Sequence, residues 1–171
     1  LVGYLRPTSG SATIGGVDCY HQSVEARRLV AYLPGEARLY RSMRGRDVLQ
    51  FLAEVRPGGD FQQSLAFAKR LDPDLHRRVA FMSTGMRQKL AFAATMSTDS
   101  PLVILDEPTA NLDPSVRATV SAMIAEAKSS GRTVIFSSHV LSEVEDVCDR
   151  VAILRDGKCV HTQVVSDLRR R

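Results

Sequence analysis

Residues 102–107 read Leu-Val-Ile-Leu-Asp-Glu, followed by Pro108 and Thr109. Four apolar residues, two of them β-branched, run directly into two acids. Such a run predicts a strand buried on both faces, as in a parallel sheet. The acids then fall at the strand's C-terminal end, where open α/β folds place their chemistry. Asp106 is a candidate Mg²⁺-side carboxylate, because that ion prefers oxygen ligands and keeps several waters. Glu107 is a candidate base or water-positioner. The same residues also fit a core strand ending in a solvated acidic turn, so the surroundings must decide.

Downstream, Asp113-Pro114 opens a helix, with Asp as N-cap and Pro at the first helical position. Val116, Val120, Met123, Ile124 and Ala127 form its apolar stripe, and Gly131 suits the position just beyond it. Residues 133–136, Thr-Val-Ile-Phe, predict another buried strand, ended by Ser137-Ser138-His139. Val140–Cys148 predicts a helix with Val140, Leu141, Val144 and Val147 inward. Val151–Leu154 and Cys159–His161 flank Asp156-Gly157, a hairpin turn signal. Strand, helix, strand, helix is the rhythm of a parallel sheet.

Upstream, helices are predicted over Met43–Val55 (Val48, Leu49, Leu52 and Val55 on one face), over roughly 61–71 (Phe61, Leu65, Ala68, Leu71), and over about Met86–Met96. Pro57-Gly58-Gly59 and Asp72-Pro73 punctuate them, and 74–82 is a mixed connector. With no strand in 41–96, this part reads as a helical insertion carried on the sheet. Residues 7–18 read as a turn, a short strand and a turn. Glu25–Leu29 suits a short helix and Val30–Leu33 a short strand stopped by Pro34. The region 7–33 has an antiparallel, turn-rich character. Leu1–Leu5 fits either a helix tail or a strand.

The 171 residues suffice for one domain with a good core. Hydrophobic residues at 44% and charged residues at 25% are an ordinary globular balance. No apolar run approaches the ~20 residues that span a bilayer, and no signal-peptide pattern is read. The odd count of three cysteines, Cys19, Cys148 and Cys159, lacks metal spacing and argues against a disulfide framework. They are expected to be reduced thiols in the cytosol. The net charge of +4 is scattered, with its densest cluster at Arg169–Arg171, so nucleic acid is not expected as a partner.

Two further groups carry chemistry. In Phe81-Met82-Ser83-Thr84-Gly85-Met86-Arg87-Gln88-Lys89, a hydroxyl- and glycine-bearing turn runs into a helix. Its unpaired N–H groups and dipole suit a phosphate, with Ser83 adding a hydroxyl and Gly85 permitting close approach. An ordinary serine cap fits equally. At the next strand tip, His139 suits a phosphate or a bound water, and equally a helix cap. An N-cap role accounts for Asp113 by itself.

In this order, the groups resemble the nucleotide-binding subunit of ABC transporters across nearly the whole chain. Met82-Ser83-Thr84-Gly85-Met86-Arg87-Gln88 is similar to the family's signature loop, and Leu102–Glu107 to its Walker B strand with the catalytic glutamate. Ala110-Asn111-Leu112-Asp113 is similar to its D-loop, and His139 to its switch histidine. Leu5-Arg6-Pro7-Thr8-Ser9-Gly10, Tyr32-Leu33-Pro34 and Ser83-Thr84-Gly85-Met86-Arg87-Gln88 resemble the ABC-2, or drug- and antibiotic-exporting, branch.

The resemblance implies a P-loop NTPase-like α/β cassette. Residues 1–40 would be the remnant of an antiparallel β subdomain with the Q-loop region, 41–97 the helical subdomain, and 98–171 part of the ATPase core. It implies ATP and Mg²⁺ as cofactors. The partners implied are a second copy of the subunit, paired head to tail, and an ABC-2 type membrane permease at the cytoplasmic side of the membrane. Glu107 and His139 would be catalytic and Asp106 would hold the metal. Ser83, Thr84, Gly85, Gln88, Asp113 and Glu36 would contact the nucleotide. The surface around Glu36–Val55 would carry the coupling.

Three departures stand out. No Gly-x-x-x-x-Gly-Lys-[Ser/Thr] loop occurs, and the expectation is that it lies upstream of Leu1. Gly157-Lys158-Cys159 is no substitute. Thr84 stands where the widespread signature has Gly. Gly35 stands at the Q-loop glutamine position, with Glu36 beside it. Two other readings remain. A DNA-repair or ribosome-associated ABC ATPase would show coiled-coil heptads or a tandem cassette. A degenerate cassette would bind or regulate without turnover, against which Glu107 and His139 argue.

Overall fold

The computed structural model describes residues 2–3 and 5–165; the Arg169–Arg171 cluster, Leu1 and Tyr4 lie outside the described residues. In chain order the elements are β1 (Thr13–Ile14), β2 (Val17–Asp18), α1 (Ser23–Arg28), β3 (Val30–Leu33), α2 (Gly45–Val55), α3 (Phe61–Leu71) and α4 (Thr84–Met96). There follow β4 (Leu102–Asp106), α5 (Pro114–Ser129), β5 (Thr133–Ser137), α6 (Leu141–Val147), β6 (Arg150–Arg155) and β7 (Lys158–Val164).

The centre is a parallel sheet of order β3-β4-β5. Leu102, Val103 and Leu105 of β4 are buried, as the apolar run requires. β1 pairs antiparallel with β2, and β6 with β7 around Asp156-Gly157, whose φ angles are 50° and 73°. Among the described residues, no helix is long and apolar enough to cross a membrane. The architecture is the α/β cassette expected: a parallel core sheet, a helical region and small antiparallel sheets.

The helical region carries no strand, as its periodicity predicts. α3 starts at Asp60, whose side chain accepts from Gln63 N, and stops at Asp72 in the left-handed conformation. α4 is capped by Ser83, which accepts from Met86 N. Leu90, Phe92 and Ala93 of α4 are fully enclosed, and with Leu33, Leu49, Leu105 and Met123 they join helices and sheet in one core. Burying each such large side chain contributes about 1.5–3 kcal/mol. The expected face of α2 is less complete, because Val55 is 56% exposed. A smaller cluster of Ile14, Cys19, Ala26 and Leu102 seats β1 on the sheet's other end.

Three expectations are corrected. Val30–Leu33 reads as part of the antiparallel, turn-rich region 7–33, yet it pairs in parallel with Leu102–Leu105. A four-residue apolar strand has no signal for the direction of its neighbour. Residues 133–136 read as a buried strand, but Ile135 is 45% exposed. β5 ends the sheet among the described residues, and its only paired neighbour there is β4. In α6, Leu141 points outward at 75% exposure while Glu143 is buried. A hydroxyl pair described below draws the acid inward.

Arg132 locks β5 to the helical region. Its guanidinium donates to the carbonyls of Met96, Thr98 and Ser100, the chain just after α4, at 2.9–3.0 Å. The end of α4 and the start of β5 are thereby held together, and the parallel register of β4 with β5 sets Asp106 beside Ser137 at their C-terminal tips.

Candidate functional site

Asp106 ends β4 directly opposite Ser137 at the end of β5. Ser137 Oγ donates to Asp106 Oδ1 at 2.6 Å and accepts from the Glu107 backbone N–H at 2.9 Å. One hydroxyl therefore fixes both the carboxylate and the turn after it. Asp106 Oδ2 lies towards Gly35, where an added Cβ would be 3.1 Å away. A side chain at position 35 would crowd this oxygen, and glycine leaves the corner open. An open carboxylate oxygen fits Mg²⁺, which is commonly held by one or two carboxylates, substrate phosphates and water rather than by an all-protein cage.

Glu107 has φ 45°, a left-handed conformation that is costly for a residue with a side chain. Its surroundings hold it there. Besides the Ser137 contact, its carbonyl accepts from Ala110 N at 3.1 Å and from Gln88 Nε2 at 3.3 Å. The turn swings the carboxylate towards His139, whose Nδ1 is 3.5 Å from Oε1. Both side chains are open to solvent, at 73% for His139 and 46% for Glu107. The separation is longer than a good hydrogen bond; catalytic contacts commonly tighten only with substrate in place.

The 82–88 turn faces the same end of the sheet. Ser83 and Thr84 are exposed at the start of α4, where the first N–H groups lack helical partners. Arg87 donates to Met82 O and, at 3.1 Å, to Thr84 Oγ1. The hydroxyl that Thr84 adds is thus absorbed by a residue one turn along. An added Cβ on Gly85 would lie 2.6 Å from Asn111 O, so the turn packs on the 110–113 loop. Gln88 does not share this exposed face. It is 3% exposed and reaches the site from beneath, through the Glu107 carbonyl.

Asp113 sits at the N-cap position of α5, but its side chain makes no capping bond. The cap reading therefore does not account for this exposed carboxylate. Glu36 is not joined to Asp106 or Glu107; it pairs with Arg38 at 3.0 Å, both side chains largely exposed. Sequence reasoning missed Ser137. Its signal was the alignment of two apolar strands ending in Asp106 and Ser137, which parallel pairing sets side by side.

The arrangement offers an oxygen ligand, a base beside an imidazole, and a phosphate-suited helix start around one rim. The family model described as ABC transporter matches residues 1–110. An ABC transporter ATP-binding protein of Nostoc is 31% identical over 98% of this chain and 52% of its own length. The fluoroquinolones export ATP-binding protein of Mycobacterium tuberculosis is 33% identical over 99% of this chain and 56% of its own. The chain spans about half the length of these curated relatives. Among solved structures, the ATP-binding subunit of an ABC transporter superimposes with a TM-score of 0.85 at 27% identity, covering 99% of this chain and 72% of that one. A dimeric ATP-binding cassette bound to ADP and Pi gives 0.84 at 16% identity over 96% of this chain and 77% of that one, a likeness of fold alone. The family model's match over residues 1–110, together with this fold, shows that the chain belongs to the ABC transporter family.

Proposed function

We propose that this chain is part of the ATP-hydrolysing subunit of an ABC-type exporter, and that it energises a separate membrane permease through ATP-driven pairing of two subunits. The observation that carries the proposal is Glu107 Oε1 at 3.5 Å from His139 Nδ1, beside Asp106 fixed by Ser137. Phosphoryl transfer to water needs positioning and charge stabilisation more than covalent chemistry. Glu107 orients and polarises the attacking water. His139 holds that water and the γ-phosphate in line. Asp106 would hold Mg²⁺, directly or through water, and the ion supplies charge neutralisation at the phosphates.

Ser83, Thr84 and Gly85 act across the interface, towards the nucleotide of the partner subunit, and Asp113 orders that interface. Glu36, one residue beyond the glycine that flanks Asp106, stands in for the Q-loop glutamine towards metal-bound water. The branch reading draws on the segments Leu5–Gly10, Tyr32–Pro34 and Ser83–Gln88, and the likeness to a fluoroquinolones export ATP-binding protein supports it. The permease partner is of the ABC-2 type, reached at the cytoplasmic face through the surface around 36–55.

The test is Glu107→Gln in the full natural protein, with ATP turnover and particle size measured together. The expected result is a loss of turnover of about 10²-fold or more with ATP still bound and a dimer that persists. Wild-type turnover in the variant removes Glu107 from the mechanism. No ATP-dependent pairing removes the dimer.

A further inference from the structure

Glu143 takes no part in the site described above, yet it lies directly behind it. The residue is 9% exposed. Its Oε2 accepts from two hydroxyls on different segments, Thr109 Oγ1 at 2.8 Å and Ser138 Oγ at 2.8 Å. Thr109, itself 7% exposed, lies within the turn that runs from Glu107 to Asp113. Ser138 immediately precedes His139, and its Oγ also accepts from Val140 N at 3.0 Å. A single carboxylate oxygen thus ties the segment of the base and the interface loop to the segment of the imidazole.

Stability alone does not explain this carboxylate. Its other oxygen, Oε1, is buried without a hydrogen-bond partner among the described residues. Buried polar atoms are normally satisfied, and apolar packing commonly serves a core as well as a buried charge. α6 is short, with Leu141 turned to solvent. A clamp between two loops, by contrast, requires an acceptor that two hydroxyls can share.

We propose that Glu143 is a positioning residue for ATP hydrolysis: through Thr109 and Ser138 it makes the Glu107–Asp113 segment and the His139 segment move as one unit. The hydrolytic part rests on the ATPase reading above. Closure of the interface at Asp113 would then be felt at His139 through two hydrogen bonds rather than through the nucleotide. The clamp sets geometry and touches no substrate, so its loss acts on turnover more than on binding.

The test compares Thr109→Val, Thr109→Ser, Ser138→Ala and Glu143→Gln in the full natural protein. Thr109→Val keeps the shape and deletes one arm. It is expected to lower kcat about ten-fold or more, with KM for ATP changed less than about two-fold. Thr109→Ser restores the hydroxyl and is expected to restore kcat. Amide exchange is measured on the same proteins without nucleotide. Thr109→Val is expected to speed exchange at Val140, which lies on the other arm, as well as at Ala110 and Leu112; Ser138→Ala and Glu143→Gln are expected to do the same. Unchanged kcat, or a loss that Thr109→Ser does not restore, overturns the proposal. An inert wild type counts against the ATPase reading instead. Exchange then decides the clamp, and no change at Val140 in Thr109→Val overturns it.

Discussion

A Cβ placed on Gly85 would stand 2.6 Å from the carbonyl oxygen of Asn111. The 82–88 turn and the 110–113 loop therefore touch within one chain, backbone against backbone. Asn111 itself has φ 61°, so the loop has little freedom to yield. Gly85→Ala should shift Asn111 and destabilise the fold by about 1–3 kcal/mol, read by urea unfolding. An unchanged midpoint and slope would show that the loop yields to the methyl without cost.

His139→Ala should lower turnover in the full natural protein by about 10²-fold or more while ATP binding persists. The side chain is 73% exposed and meets Glu107 only at its edge, so the fold should not notice its loss. Steady-state kinetics and calorimetric binding on the same preparation check this. Equal loss of binding and turnover would instead assign His139 to ground-state contact.

Arg132→Met should cost about 1–3 kcal/mol for each buried carbonyl left unpaired, at the low end here because the guanidinium is only partly buried. The residue serves three carbonyls at once, and burial pulls its pKa below the usual arginine range, with Asp99 opposing. Methionine replaces the stem and none of the donors. A stability within 0.5 kcal/mol of wild type, the ordinary range for surface changes, would contradict the locking role.

The three thiols should react in a fixed order. Cys159 is exposed, Cys148 half-buried and Cys19 buried. Burial pushes the Cys148 thiol up, Lys128 pulls it down and Asp149 pushes it up further. Less thiolate at neutral pH means slower attack. Peptide mapping after timed alkylation of the native protein should find Cys159 first and Cys148 well behind it, with the gap narrowing as pH rises. Cys148 labelled as fast as Cys159 at pH 7 would refute this.

Much of the fold was legible because its signals are local. The apolar run of β4, the Asp113-Pro114 start of α5, the Asp156-Gly157 turn and the 3.6-residue stripes of α3 and α5 each constrain their own few residues. The acids at the end of β4 and the histidine at the end of β5 were readable as well, since strand ends are marked by where apolar residues stop. The failures were of another kind. Leu141 reads as inward by hydrophobicity yet is exposed, while the hydroxyls of Thr109 and Ser138 hold Glu143 of the same helix inside.

Chain-local chemistry was thus enough to establish the alternating α/β class, the helical insertion and the family-bearing motifs. Contacts between distant segments settled the rest: the parallel pairing of Val30–Leu33, the edge position of β5 among the described residues, the burial of Gln88 beneath Glu107 and the two hydroxyls shared by Glu143. The reason is physical. Helix and turn preferences act over a few bonds. A buried hydrogen bond is satisfied by whichever donor the packed chain brings near, and that donor can lie anywhere along its length.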